Sequence, residues 1–271
     1  MFKVNVVSMG SDPEFFLLRN GEFYPSCDII GGTKENPMPL PRSGIEGLSI
    51  QEDNVAVEIT TAACTTRAQF IKNITDSLKY LPQVFPREYE LSLSNAASAY
   101  FNPKYLTSEK ALTFGCDPDV DAYTGKLNEI SDDKKNSNFR TCGGHVHIGF
   151  ENNKDMPKLL MRKFIKLLDL YLGVPSLILD KDTERRKLYG SAGAFRYKPQ
   201  YGCEYRTLSN FWTFNPELIG WVWDSVMRAA EHFNSGDECD FRHLRHGRQA
   251  VSGAGLAGHA GWKNPGRGHP A

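Results

Sequence analysis

Apolar and polar positions alternate through most of the first 64 residues, in short runs separated by turns. KVNVVSMG, EFFLLRN and EFYPS read as strands, and the Asn20-Gly21 pair between the last two is a strong hairpin signal. From Gly31 to Glu52 the alternation lapses into a Gly/Pro-rich stretch that reads as a long functional loop. NVAVEITTAA then resumes the strand pattern. Phe70, Ile71, Ile74, Leu78 and Leu81 recur at helical spacing and predict a helix ending near Pro82. YELSLSNAAS and HVHIGF read as strands, and MPKLLMRKFIKLLDLYLGV as an amphipathic helix with Lys and Arg outward. YGCEYRTLSNFW reads as a strand or sheet edge, and PELIGWVWDSVMRAAEHF as a last helix opened by Pro216. Hairpin-linked strands with helices between them predict an α+β domain with a largely antiparallel sheet.

After about Cys239 the periodicity ends. RHLRHGRQAVSGAGLAGHAGWKNPGRGHPA is rich in Gly, Ala, Arg and His, a composition that cannot bury enough apolar surface to offset its ordering entropy. The division expected is therefore one catalytic domain over 1–239 and a disordered tail over 240–271, whose His246, His259 and His269 offer at most a weak metal site.

Composition narrows the function classes. The 271 residues are 40% hydrophobic and carry 32 basic and 32 acidic side chains, a balance that speaks against nucleic acid or an anionic membrane as partner. No apolar run approaches the ~18 residues of a bilayer span, and the start lacks a secretory pattern. Six cysteines without CxxC spacing suit reduced thiols and a cytoplasmic setting. Neither GxGxxG nor GxxxxGK[ST] occurs, so a nucleotide would be held some other way.

The candidate chemistry lies in polar pairs at strand spacing, where residues i and i+2 share a face. Asp12 and Glu14 flank Pro13. Asn54, Ala56, Glu58 and Thr60 share one face of their strand, with Val55, Val57 and Ile59 on the other. His145 and His147 share a face in RTCGGHVHIGF, as do Glu204 and Arg206 in YGCEYRT. A sheet face gathering Glu14, Glu58, His145, His147, Glu204 and Arg206 would be costly unless cations sat there. Carboxylates with one imidazole suit Mg2+ or Mn2+, and a planar guanidinium suits phosphate. Gly143 and Gly144 permit close backbone approach before the histidine strand.

GSDPEFFL, DNVAVEI, RTCGGHVHIGF and KPQYGCEYRTLSNFW, in this order from about Met1 to Phe233, resemble the phage-type COOH–NH2 ligases, type 2. These are amidoligases of the glutamine synthetase and glutamate–cysteine ligase superfamily. The resemblance implies a curved antiparallel sheet whose concave face holds ATP and divalent cations, with helices packed behind it. It implies an ATP-dependent ligase that joins a small-molecule or peptide carboxylate to an amine through an acyl phosphate. Carried over residue by residue, Glu14, Glu58, His145 and Glu204 would hold metal, with His145 favoured over His147. Arg206, Arg196 and Glu204 would act in catalysis, and Arg206, Arg196 and His147 would contact ATP or substrate. Apart from the resemblance, the GGTKENPMP loop with Lys34 is the natural place for substrate contacts.

Two other readings stand beside it: a zinc hydrolase using the HxH strand with a glutamate, and a non-catalytic relative that keeps the fold. Lesser candidates have plainer accounts. Cys142 and His145 would point to opposite faces of a strand, which disfavours a thiol nucleophile. Asp117, Asp119 and Asp121 lack the Gly and Glu positions of an EF-hand and read as turn acids. Trp212, Trp221 and Trp223 read as packing residues.

Overall fold

Asn20 and Gly21 both adopt positive φ, 51° and 80°, the geometry that lets a two-residue turn match the twist of its flanking strands. Arg19 accordingly pairs with Glu22, Leu18 with Phe23 and Leu17 with Tyr24. The hairpin lies where the sequence places it. The computed structural model describes residues 2–112, 118–128, 137–237 and 241. The account that follows concerns the compact unit Met1–Cys239; the second unit is Asp240–Ala271. Cys116, Asp117, Cys239 and the tail apart from Phe241 lie outside the described residues.

In chain order the strands are β1 (Val6–Ser11), β2 (Glu14–Phe15), β3 (Leu17–Arg19), β4 (Glu22–Tyr24), β5 (Met38–Pro39), β6 (Ser49–Asp53), β7 (Ala56–Thr60), β8 (Ser92–Leu93), β9 (Ser98–Tyr100), β10 (Val120–Asp121), β11 (Phe139–Thr141), β12 (Val146–Phe150), β13 (Ala194–Lys198) and β14 (Gly202–Tyr205). Two sheets carry the site. One runs β1-β12-β14-β13-β10 and the other β2-β7-β6-β5; a three-stranded sheet, β4-β3-β8, and the pair β11-β9 complete the set. Every recorded pairing is antiparallel.

The two large sheets meet where Asp12 and Pro13 link β1 to β2. There the Ile59 N–H donates to Pro13 O at 3.2 Å, and Met9 exchanges two backbone hydrogen bonds with Cys64. The fold is α+β and antiparallel, as expected, with its ladder divided into separate sheets.

Helix α1 (Arg67–Tyr80) begins at Thr66, whose hydroxyl accepts from the Gln69 N–H, and gives way at Leu81-Pro82. Helix α2 (Lys158–Leu168) continues through a π turn, Asp169–Gly173, into Val174–Leu179. Helix α3 (Pro216–Ser235) is capped by Asn215 and closed by Gly236 at φ 79°. The apolar side of the five-stranded sheet packs on these helices: Phe150 of β12 meets Phe164 of α2 edge-on at 5.2 Å, and Phe164 meets Phe233 of α3. Tyr205 of β14 reaches the same side and donates to Asp169 at 2.7 Å. A Cβ on Gly173 would lie 2.8 Å from that phenol oxygen, so the glycine makes room for the buried hydrogen bond.

The structure corrects three element assignments. The loop over Gly31–Glu52 contains β5 and most of β6, and the strand read from Asn54 begins at Ala56, because Asn54 (φ 55°) and Val55 form the turn. Gln51, Glu52 and Asp53 have weak strand preference, but pairing with the apolar β7 overrides it. YELSLSNAAS forms only the short β8 and the start of β9. Ala194–Lys198 is a strand the pattern did not reveal.

Candidate active site

Strand register builds the floor of the site. Gly10, His147, Glu204 and Arg196 are successive cross-strand partners on β1, β12, β14 and β13. The next row is Ser8, Gly149, Gly202 and Lys198. Alternation sends Ile148, Cys203 and Tyr205 to the helix side, all fully buried, and His147 and Glu204 to the opposite side. On the second sheet, Glu14 of β2 faces Glu58 of β7, and Glu58 faces Gln51 of β6. Both sheets line one cleft of about 440 Å3.

Acidic and imidazole donors gather there in two groups. Asp12, His147 and Glu204 bring ligand atoms within 4.8 Å of one another, and so do Glu14, Asp53 and Glu58. Asp12 and Glu14 are two residues apart yet serve different groups, because Asp12 sits in the link between the sheets and Glu14 on β2. His145 lies between the groups. Its Nδ1 is 3.4 Å from Asp12, 3.6 Å from Glu204 and 3.9 Å from Glu14, and 3.2 Å from an Arg206 nitrogen. The glycines before it are sterically required. A Cβ on Gly143 would lie 2.3 Å from His145 Nε2, and one on Gly144 would lie 2.4 Å from Ser209 O.

The groups differ in how far protein cations already balance them. Glu204, fully buried, pairs with Arg206, with Lys198 Nζ at 2.8 Å and with an Arg196 nitrogen at 3.7 Å. Burial and Asp12 would raise its pKa, but Arg206, His145 and His147 outweigh them and hold it at about 2. Burial likewise opposes ionisation of Asp12, and the charge of His147 with hydrogen bonds to both histidines holds it well below the usual range. Burial works against charge on His147 too, yet Asp12 draws its pKa up.

In the second group the balance falls the other way. Burial first, then Glu14 and Asp12, push Asp53 from 3.8 to about 7, against the pull of Lys34 and Arg206. Burial and four neighbouring carboxylates push Glu58 well above its ordinary value. Three buried atoms of the first group, Asp12 Oδ1, His147 Nε2 and Glu204 Oε2, lack a hydrogen bond of acceptable geometry. The structure thus holds three buried ligand atoms without well-formed hydrogen bonds in one group and carboxylates whose ionisation is opposed in the other. Both fit divalent cations with oxygen-rich coordination.

Glu14, Lys34, Glu58, His145, His147, Arg196 and Arg206 line this cleft, and Glu204 pairs with Arg206 within it. Glu14 and Glu58 fall in one donor group, Glu204 and His147 in the other, and His145 between them. Arg206 also lies 3.4 Å from Asp119. The sequence reading missed Asp53, Lys198 and Tyr201, and it gave Asp12 no firm place in a donor group. Lys198 follows Arg196, and Asp53 follows Gln51, by two residues, but neither segment reads as a strand from its own pattern. The lesser candidates resolve plainly. Cys142 is buried, and burial pushes its thiol pKa well above the ordinary value, which leaves it unreactive. Asp121 accepts from the Tyr123 N–H and the Thr124 hydroxyl, as a turn acid does. Trp212 and Trp223 pack on Phe70, and Trp221 on Phe211.

Residues 134–248 match the family model described as phage phiEco32-like COOH.NH2 ligase-type 2. Over these residues the chain is similar to the phage-type COOH–NH2 ligases. The matched segment holds His145, His147, Arg196, Lys198, Glu204 and Arg206, most of one wall of the cleft. Asp12, Glu14, Asp53 and Glu58 precede it, so the second donor group rests on the fold and not on the match. No curated protein shows a significant match to the chain. Among the described residues, no helix is long and apolar enough to cross a membrane.

Proposed function

We propose that this protein is an ATP-dependent carboxylate–amine ligase that works with Mg2+ or Mn2+. The observation that carries the reading is the pair of oxygen-rich donor groups in one cleft, bordered by Arg196, Lys198, Arg206 and Lys34. On this reading the two sheets make one continuous catalytic surface like that of the glutamine synthetase and glutamate–cysteine ligase superfamily. The matched family's name supports the joining of a carboxylate to an amine, and its phage association suits action in the cytoplasm of a host cell.

Asp12, His147 and Glu204 would hold one divalent cation and Glu14, Asp53 and Glu58 another, and the cations would supply charge neutralisation for the phosphates. Arg206, flanked by Glu204 and Asp119, presents a fixed guanidinium to a transferring phosphoryl group. Arg196 and Lys198 extend the positive wall along β13. A substrate carboxylate oxygen bonds to the γ-phosphorus while the bond from that phosphorus to ADP breaks. The amine nitrogen then bonds to the acyl carbon, phosphate leaves with the electrons of the C–O bond, and the amine gives up a proton. Phosphoryl transfer of this kind calls for positioning and charge stabilisation more than a protein nucleophile.

The zinc-hydrolase alternative would bring both imidazoles of HVH to one ion. Only His147 contributes to a donor group, while His145 turns toward Arg206. The test is calorimetric binding of a non-hydrolysable ATP analogue, with Mg2+ and then with EDTA, followed by a screen of acid–amine pairs for phosphate release. Magnesium-dependent binding that Glu204→Gln abolishes supports the ligase. A folded protein that binds no nucleotide and carries zinc overturns it.

A further inference from the structure

Tyr201 lies at the turn between β13 and β14 and lines the cleft beside His147. Its backbone is pinned on both sides: the Tyr201 N–H donates to Lys198 O at 3.0 Å, and Tyr201 O accepts from the Phe150 N–H at 2.8 Å. Its hydroxyl forms a hydrogen bond with His147 Nδ1, the ring nitrogen pointing away from the donor group. The two rings lie 5.9 Å apart at 40°.

A neutral imidazole carries one N–H and one lone pair, so the partner of one nitrogen decides what the other can do. If the phenol donated into Nδ1, the hydrogen would sit on Nε2 and point at Asp12 Oδ2, 3.0 Å away. That would close the Asp12, His147 and Glu204 group as a structural pair. If Nδ1–H donates to the phenol oxygen, Nε2 turns a lone pair toward Asp12 and Glu204. Nε2 faces Asp12 Oδ2 without a hydrogen bond of acceptable geometry. The second arrangement agrees with that pattern.

We infer that Tyr201 is a positioning residue which accepts a hydrogen bond from His147 Nδ1 and thereby turns the Nε2 lone pair toward a divalent cation shared with Asp12 and Glu204. The inference rests on the two-cation reading above. It assigns no contact between Tyr201 and the reacting atoms. Outer partners of this type fix ring orientation and typically change metal affinity about 10- to 100-fold when removed.

The experiment titrates Mn2+ into the full chain and into Tyr201→Phe, with free Mn2+ read by electron paramagnetic resonance. Long-range 15N–1H NMR of the Mg2+-loaded wild type, in which the fold is not at issue, locates the His147 proton. The expected result is two classes of site in the wild type. Tyr201→Phe weakens one class by about 10- to 100-fold and leaves the other unchanged, and the wild-type proton resides on Nδ1. Two unchanged classes in Tyr201→Phe, or a proton on Nε2, overturn the role of Tyr201 while the cation sites stand. A wild type that binds no Mn2+ removes the two-cation reading itself, and this inference with it.

Discussion

Glu14 on β2 and Glu58 on β7 are direct cross-strand partners. Like charges placed opposite each other on a sheet are destabilising, and here burial adds to the cost. The pair next to it explains the register. Phe15 faces Val57, and both are fully buried in the apolar core that also contains Ile50 and Ile59. A slip of one residue would separate the glutamates but turn Phe15 and Val57 to the wrong face. Apolar packing therefore imposes a carboxylate pair that the cation-free protein does not favour.

Glu58→Gln should for that reason stabilise the cation-free protein while disabling it. Removing an acid whose ionisation burial and its neighbours oppose is expected to raise the melting temperature in EDTA by a few degrees, equivalent to roughly 1 kcal/mol. Magnesium-dependent phosphate release should fall at least about 100-fold. Thermal melts with and without EDTA, read beside a turnover assay, check both. A variant that melts lower than the wild type in EDTA would contradict the electrostatic account.

The same group sets a pH dependence. Folded Asp53 holds its proton up to about 7, whereas its ordinary value is 3.8, and Glu58 shifts the same way. Between those values the folded state binds more protons than the unfolded one, so stability falls as pH rises. His147, also raised, contributes stability below its ordinary value that is lost on the alkaline side. Glu204 has the opposite sign: lowered from 4.5 to about 2, it contributes stability above 4.5 that is lost on acidification. Cation-free melting temperatures should therefore decline from about pH 5 to about pH 8, and added Mg2+ should raise them more at the upper end. A flat cation-free profile over that range would count against the shifts.

The sequence disclosed the wall of the site that carries aliphatic alternation and hid the wall that does not. His147 and Glu204 stand between apolar residues on β12 and β14, so period-two reading placed them on one face. Glu58 emerged the same way on β7. Asp53 did not, because Gln51, Glu52 and Asp53 look like loop and become a strand only by pairing with β7. Asp12 stayed equivocal because its position comes from the link between two sheets, which no local pattern describes. The helices were plain, since their caps and apolar stripes are local. That Glu14 and Glu58 would stand opposite each other depends on register between segments more than forty residues apart.

Gly144→Ala should cost more than Gly143→Ala. The added methyl on Gly144 meets the Ser209 carbonyl and the Trp212 indole nitrogen, which donates to Gly144 O at 3.1 Å and is held in the core. The added methyl on Gly143 meets the His145 ring, an imidazole that can turn. Gly144→Ala is expected to destabilise by about 2–3 kcal/mol. Gly143→Ala should lower stability less and show its effect chiefly as lost turnover, through displacement of His145. Denaturant unfolding of both variants checks the order, and equal losses would place the close approach elsewhere.

Asp53→Asn tests the donor group that precedes the family-matched segment. Asp53 ends β6 opposite Ala56, at a hairpin whose turn is made by Asn54 and Val55, so an amide of the same size should leave the fold intact. The substitution removes one carboxylate from a group of three and leaves Asp12, His147 and Glu204 untouched. Of two Mn2+ classes, the variant should weaken the one that Tyr201→Phe spares. The two substitutions together should then weaken both classes, since they alter different donor groups. If instead both variants weaken the same class, the donor atoms act on a single ion, and the cleft is a one-cation site with carboxylates on either side.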